Sequence, residues 1–198
     1  EIIRSKDFDL RKASEAERLV DHTVAKYGRL DLIINCVGNY INKNISDFSV
    51  EEWDEMMDTN LNYAFYICRK ALPELRKTNG QIINIGSTAG KEVYKDGNAY
   101  CATKHAVDAL SKSMRIDLLP YQIKVTVIHP GAALTEFSKV RFKGDENKAQ
   151  MVYEGYQALE AIDVADICFY AANLPAHVCM NEIVVTCLAQ ANSFYLQK

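Results

Sequence analysis

Tyr100 and Lys104 stand at positions i and i+4 of the run Tyr-Cys-Ala-Thr-Lys, and Ser87 closes the upstream run Gln81-Ile-Ile-Asn-Ile-Gly-Ser87. On a helix, i and i+4 share a face, so the Lys104 ammonium can lie beside the Tyr100 ring. A free phenol titrates near ~10 and is a poor base at neutral pH. A cation held against it favours the phenolate and brings the group toward acid/base work. A serine hydroxyl at a strand end can converge with that pair on one substrate oxygen. Taken singly, a Tyr-x-x-x-Lys spacing or a turn serine is common, so the weight falls on the elements that must position them.

Those elements alternate between strand and helix along the whole chain. Ala13 to Tyr27 has helical period, with Leu19, Val20, Val24 and Tyr27 on one apolar side. Leu30 to Val37 reads as a buried strand ended by Gly38. Ser49 with Glu52 is a capping box. It opens a helical stretch carrying Trp53, Met56 and Met57, and a longer helix then carries Leu61, Phe65, Cys68 and Leu72. Gln81 to Ser87 is the next strand, and the Tyr100 helix runs to about Leu119, where Pro120 helps end it. Lys124 to His129 is a strand stopped by Pro130-Gly131. Helices are expected at about 148–161 and from Val164 to Asn173, and a last strand from Glu182 to Leu188.

Strands separated by helices predict right-handed crossovers and one doubly wound α/β domain over 1–198, a parallel sheet with helices on both faces. In such sheets ligands bind beyond the carboxyl ends of the strands. Three strands here end in small or special residues: Asn35-Cys-Val-Gly38, Gly86-Ser87 and Pro130-Gly131. Together they predict a cleft that admits a flat cofactor close to the backbone.

Composition narrows the function classes. The 198 residues are 48% hydrophobic and 25% charged, with a formal net charge of −3 and no long run of like charges. Nucleic-acid and membrane-surface binding therefore have no electrostatic support. The six cysteines, Cys36, Cys68, Cys101, Cys168, Cys179 and Cys187, form no Cys-x-x-Cys pair. Most sit in apolar stretches, the pattern of a small hydrophobe in a reducing cytoplasm. His22, His105, His129 and His177 show no metal-ligand spacing, so no metal is expected. No stretch is long and apolar enough to span a bilayer.

With Asn35-Cys-Val-Gly38, Asn60, Ser87, Tyr100, Lys104 and Pro130-Gly131 in that order, the sequence resembles the short-chain dehydrogenase/reductase family. The resemblance implies an NADP- or NAD-dependent oxidoreductase with a Rossmann-like fold. It makes Tyr100 the general acid/base and gives Ser87 the substrate oxygen. Lys104 would lower the Tyr100 pKa and bond the nicotinamide ribose, and Asn60 would hold a water that relays protons. Asn35 and Gly38 match the turn that braces the sheet and passes the adenosine ribose, with Cys36 and Val37 replacing the family's middle residues. Pro130, Gly131 and Thr135 would contact the nicotinamide or pyrophosphate, and Asp9 the adenine. The family's Gly-rich phosphate loop is not in the sequence. The resemblance thus implies a further βαβ unit ahead of Glu1, and a sheet lacking its N-terminal strands without it.

Substrate choice is expected in the lid Thr135-Glu-Phe-Ser-Lys-Val-Arg-Phe-Lys-Gly-Asp145. Arg141 there is the candidate carboxylate partner, because a planar guanidinium makes paired hydrogen bonds to a carboxylate. This lid and Leu174-Pro-Ala-His-Val178 are similar to the NADP-dependent 3-hydroxy acid dehydrogenases acting on serine or allo-threonine. A small 3-hydroxy acid is therefore the expected substrate and a homotetramer or homodimer the expected assembly. Two rivals are a 3-oxoacyl or generic ketone reductase and a non-catalytic dinucleotide-sensing or scaffold relative. A binding module has no need of the Tyr100/Lys104 couple, which argues against the second.

Overall fold

A computed structural model describes residues 7–138 and 144–198. Four strands form a parallel sheet: β1 (Leu32–Asn35), β2 (Gln81–Ile85), β3 (Lys124–Pro130) and, beyond the small pair named below, β6 (Glu182–Val185), in the order β1-β2-β3-β6. Each connection carries helix, as parallel pairing demands. These helices are α1 (Ala13–Tyr27), α2 (Val50–Met57), α3 (Tyr63–Thr78), α4 (Asn98–Leu118), α5 (Glu146–Met151) and α6 (Ala161–Ala172). A second parallel pair, β4 (Ala133–Leu134) with β5 (Leu159–Glu160), lies in the connection after β3.

The register explains the layering. Ile33, Ile82 and Val125 are ladder partners, so they face the same way, and they pack with Val20 of α1, Leu75 of α3 and Leu118 of α4. The alternate positions Ile83, Ile128 and Ile183 face the opposite layer, where Cys168 and Ala171 of α6 cover them. Helices therefore lie on both faces, as the alternation of the sequence required. β1 has a strand neighbour on one side only among the described residues, and Ile34 is half-exposed on the α6 side.

The start and stop signals act as chemistry dictates. The Ser49 side chain accepts from the Glu52 N–H while Glu52 accepts from the Ser49 N–H, completing the capping box of α2. α1 spans the residues its period marks and ends at Gly28, whose φ of 73° suits glycine. α4 yields at Leu119 to a short 3-10 turn over Leu119–Tyr121 that contains Pro120.

Three expectations need correction, the simplest being the last strand, which ends at Val185 rather than Leu188. The region 148–161 is not one helix, because α5 ends at Met151 and the chain turns before entering β5 at Leu159. Gly155 in that stretch has a φ of 87°, which helix cannot accommodate. The first strand is also shorter than Leu30 to Val37. Beyond Asn35 the backbone leaves the ladder, and the Val37 N–H donates to the Tyr63 hydroxyl instead.

Candidate active site

α4 carries one polar stripe toward the sheet, on which Tyr100, Lys104, Asp108 and Ser111 are all buried. Its first turn packs closely against the preceding loop. A Cβ at Gly97 would lie 2.4 Å from the Tyr94 ring, so glycine is needed there. Tyr100 enters an aromatic cluster, 4.7 Å between ring centroids from Tyr40 in an edge-on contact and 6.0 Å from Phe137. The geometry of quadrupoles favours such tilted pairs and fixes the plane of the phenol.

Lys104 is only 5% exposed. Its ammonium donates to the Ile85 carbonyl at 2.9 Å and lies 5.7 Å from the Tyr100 ring centroid. Burial pulls its pKa down to about 8, with Cys36 acting weakly the other way. A lysine held this way is a charge kept out of water at a cost, and such groups cluster where chemistry is done.

Ser87 follows β2 and caps the 3-10 turn Thr88–Gly90, where its hydroxyl accepts from the Ala89 N–H at 3.1 Å. Ser87, Tyr100 and Lys104 line one cavity of about 810 Å³, together with Gly38, Pro130, Gly131 and Thr135. Seven of the eleven residues singled out in the sequence thus meet at the carboxyl ends of β1, β2 and β3.

Asn60 sits in a π-helical turn, Asp58–Asn62, between α2 and α3. Turns of this kind commonly mark functional positions. The side chain accepts from the Asn39 N–H at 2.6 Å and donates to the Asn39 carbonyl at 2.9 Å and to the Thr103 hydroxyl at 3.2 Å. It therefore ties the exit of β1 to α4. A Cβ on Gly38 would come 3.4 Å from the Asn60 Oδ1 and 3.8 Å from the Lys104 Nζ, so this corner has little room to spare. Asn60→Ala would strand those buried partners. The expected loss is about 3 kcal/mol of stability, a fall of roughly 10 °C in melting temperature for a chain of this size. Thermal denaturation checks it, and an unchanged midpoint would contradict the bridging role.

Asn35 and Asp9 stand apart from the main cavity. The Asn35 amide donates to Asn84 Oδ1 at 2.8 Å and to the Cys68 sulfur at 3.3 Å, and Asn84 donates on to Ser111 of α4 at 2.8 Å. This polar ladder braces β1, β2 and α4 from beneath. Asp9 lines a second, smaller cavity with Val37, Asn39 and Tyr63 at the same end of β1. Its carboxylate is gripped by Arg11 at 2.8 and 3.1 Å, and that bond holds it below the usual carboxylate range. Arg141 lies outside the described residues.

Sequence reasoning missed the walls. Tyr40, Tyr94, Gln190 and Ser193 line the main cavity from segments that carry no periodic signal, beside Phe137 of the lid. Burial drives the Tyr94 phenol well above its ordinary range, so it stays neutral there. Cys101, beside Tyr100, is buried and its thiol is pushed up by that burial. Cys36 is exposed and borders the cavity, unlike the buried majority of the cysteines.

Comparison with known proteins shows which family shares this sequence and fold. The short chain dehydrogenase family matches residues 3–146. An NADP-dependent 3-hydroxy acid dehydrogenase, YdfG of Shigella flexneri, is 38% identical over 187 residues, covering 93% of this chain and 75% of its own. An uncharacterised oxidoreductase of Staphylococcus aureus is 35% identical over 178 residues, covering 89% and 73%. Among solved structures, the closed form of a serine dehydrogenase complexed with NADP+ superposes with a TM-score of 0.89 at 38% identity, covering 94% of this chain and 76% of that one. A serine dehydrogenase from Escherichia coli gives 0.76 at 32% identity, covering 92% and 75%. The chain belongs to the short-chain dehydrogenase family.

Proposed function

We propose that the protein is an NADP-dependent oxidoreductase that interconverts the hydroxyl and the carbonyl of a small 3-hydroxy acid. The observation that carries the reading is the convergence of Ser87, Tyr100 and a buried Lys104 in one cavity, on a chain similar over most of its length to 3-hydroxy acid and serine dehydrogenases.

The cavity fits a nicotinamide nucleotide on its own features. Gly38 and Gly131 present backbone rather than side chain to it, and Lys104 has two ammonium hydrogens beyond the one given to Ile85. The Thr135 hydroxyl accepts from the Phe137 N–H at the start of the lid and keeps its own proton to donate. Lys104 would hold the ribose, Gly38 the passage of the adenosine half with Asn35 bracing that turn through Asn84 from beneath, Pro130, Gly131 and Thr135 the nicotinamide side, and Asp9 the adenine edge. When bound, the nicotinamide supplies the acceptor or donor of hydride.

The protein's own groups handle the proton and the orientation. Ser87 donates to the substrate oxygen and fixes its position. Tyr100 takes the proton of the hydroxyl in oxidation and returns it in reduction. Lys104 stabilises the phenolate between those events, and the Asn60 turn backs Lys104 and carries the water of the proton relay. Keeping the walls aromatic excludes other water from the reacting oxygen.

Arg141 is the proposed partner of the substrate carboxylate. A second reading, reduction of 3-oxoacyl or plain ketone substrates, is favoured by the apolar walls of Tyr40, Tyr94 and Phe137. Absorbance of the reduced nicotinamide separates the two. Serine, allo-threonine and 3-hydroxypropionate should turn over with NADP+, and Arg141→Ala should raise KM by about tenfold or more for these acids, the scale of a lost charged hydrogen bond. Turnover of neutral ketones with indifference to Arg141→Ala would favour the second reading. NADP is expected over NAD. A homo-oligomer assembled through α3 and α4 is part of the proposal, supported by the exposed Phe65 and Ile116 on those helices. Among the described residues no helix is long and apolar enough to cross a membrane.

A further inference from the structure

Beneath the reactive serine lies a histidine that the mechanism leaves unused. His129, on β3, is fully buried. Its imidazole fills a slot between two glycines: a Cβ on Gly86 would lie 2.5 Å from Nδ1, and one on Gly90 would lie 3.5 Å from it. Nδ1 is 3.0 Å from the Ser87 carbonyl oxygen and 3.4 Å from the Ser87 nitrogen. The ring thus touches the backbone of Ser87 on both sides of its Cα.

The other nitrogen faces a built cluster of charge. Nε2 lies 3.5 Å from Asp108 Oδ1, both atoms are out of water, and neither has a hydrogen-bond partner. Asp108 Oδ2 is held by Lys91 at 2.7 Å and by Lys112 at 2.8 Å. Glu182, from β6, takes the same two ammonium groups at 2.6 and 3.6 Å. Burial alone would raise the Asp108 pKa, but the bonds from Lys112 and Lys91 hold it below the usual range. Burial likewise lowers that of His129, against the pull of the Ser87 carbonyl, so the ring is neutral at neutral pH. Nδ1 therefore meets both the carbonyl and the N–H of Ser87, while Nε2 faces Asp108 Oδ1.

We propose that His129 is a positioning residue for Ser87, its imidazole wedged between the serine backbone and the Asp108–Lys91–Lys112–Glu182 cluster so that the hydroxyl points at the substrate oxygen. Asp108 sits one turn after Lys104 on the same stripe of α4. One helix face therefore sets both the base and, through His129, the hydroxyl that shares its substrate. Displacing a reacting group by about 1 Å can cost on the order of a hundredfold in rate, so a wedge here has kinetic consequences that general packing lacks.

This inference rests on the assignment of Ser87 to the substrate oxygen, and one assay separates the two. Asparagine places its amide where Nδ1 sits, whereas glutamine places it near Nε2, out of reach of the Ser87 carbonyl. With NADP+ and serine, His129→Gln should lose about ten- to a hundred-fold in kcat while the Kd for NADP+ measured by fluorescence stays within twofold. His129→Asn should restore most of that kcat. Full kcat in His129→Gln, or equal loss in both variants, would overturn the positioning role. Ser87→Ala is the control: if it keeps full activity, the Ser87 assignment has failed instead. Should His129→Gln not fold, Asp108→Asn replaces it, with the same loss of kcat expected and an unchanged kcat counting against the wedge.

Discussion

Tyr100→Phe is expected to lower kcat by about a hundred- to ten-thousand-fold, the range that a positioned general acid/base contributes. Only the hydroxyl is removed. The ring keeps its edge-on contact with Tyr40 and its tilted contact with Phe137, and the cluster around it includes the fully buried Met56 and Ala99. The melting temperature should therefore stay within about 3 °C of the parent, a shift below ~1 kcal/mol for a chain of this length. Binding of NADP+ should persist as well, because Lys104 and the glycine edges are untouched. The loss should fall on kcat and kcat/KM alike, the signature of a contact made in the transition state. Stopped-flow or steady-state absorbance of the reduced nicotinamide measures this directly. A Phe variant with more than a tenth of parental kcat would remove Tyr100 from the chemistry and leave the cavity as a binding site.

The same residues show why so much of the site is legible in the sequence and why the rest is not. Tyr100 and Lys104 are readable because a helix converts a spacing of four into shared direction, and α4 does run through both. Ser87 and Gly131 are readable because a parallel sheet brings all its strand ends to one edge, so residues far apart in sequence acquire a common address. Asn35 was placed by the same logic, yet its amide points to Asn84 and Cys68, since strand alternation sends neighbouring side chains to opposite faces. Cys36, the next residue, borders the cavity instead. Tyr40 and Tyr94 come from irregular connections, where no period relates sequence position to direction.

His129 was hidden for a different reason. A lone histidine in an apolar strand reads as a core residue, and only the three-dimensional meeting of β2, β3, α4 and β6 gives it Ser87 on one side and Asp108 on the other. The break at Met151 within the region 148–161 has both a local and a distant cause, because Gly155 takes a φ of 87° and Leu159 is claimed by pairing with Ala133.

Lys104→Met is expected to abolish turnover while making the protein more stable, because the site holds its cation against the interest of the fold. The lysine is buried, with one hydrogen bond from its ammonium to the Ile85 carbonyl. Its pKa falls from 10.5 to about 8. At neutral pH, keeping the proton in the folded state costs about 3 kcal/mol relative to the unfolded chain, from ~1.4 kcal/mol per pH unit. The pH dependence follows from which state binds more protons. Between pH 8 and 10.5 the unfolded chain keeps the proton that the folded state releases, so stability rises with pH across that window and the penalty is complete below it. Methionine has similar length and no charge, so it removes the penalty and strands one carbonyl at about 1 kcal/mol. The net gain is about 2 kcal/mol, or roughly 5 °C in the melting temperature of the cofactor-free protein at pH 7. The gain should shrink toward zero as pH approaches 10, which subtracts the other groups that titrate there. Turnover should meanwhile fall at least a hundredfold, since the phenol loses the cation that favours its ionised form. A Met variant that is both inactive and less stable at pH 7 would mean that Lys104 supports the fold rather than burdening it. The trade between stability and activity at this one residue would then be absent.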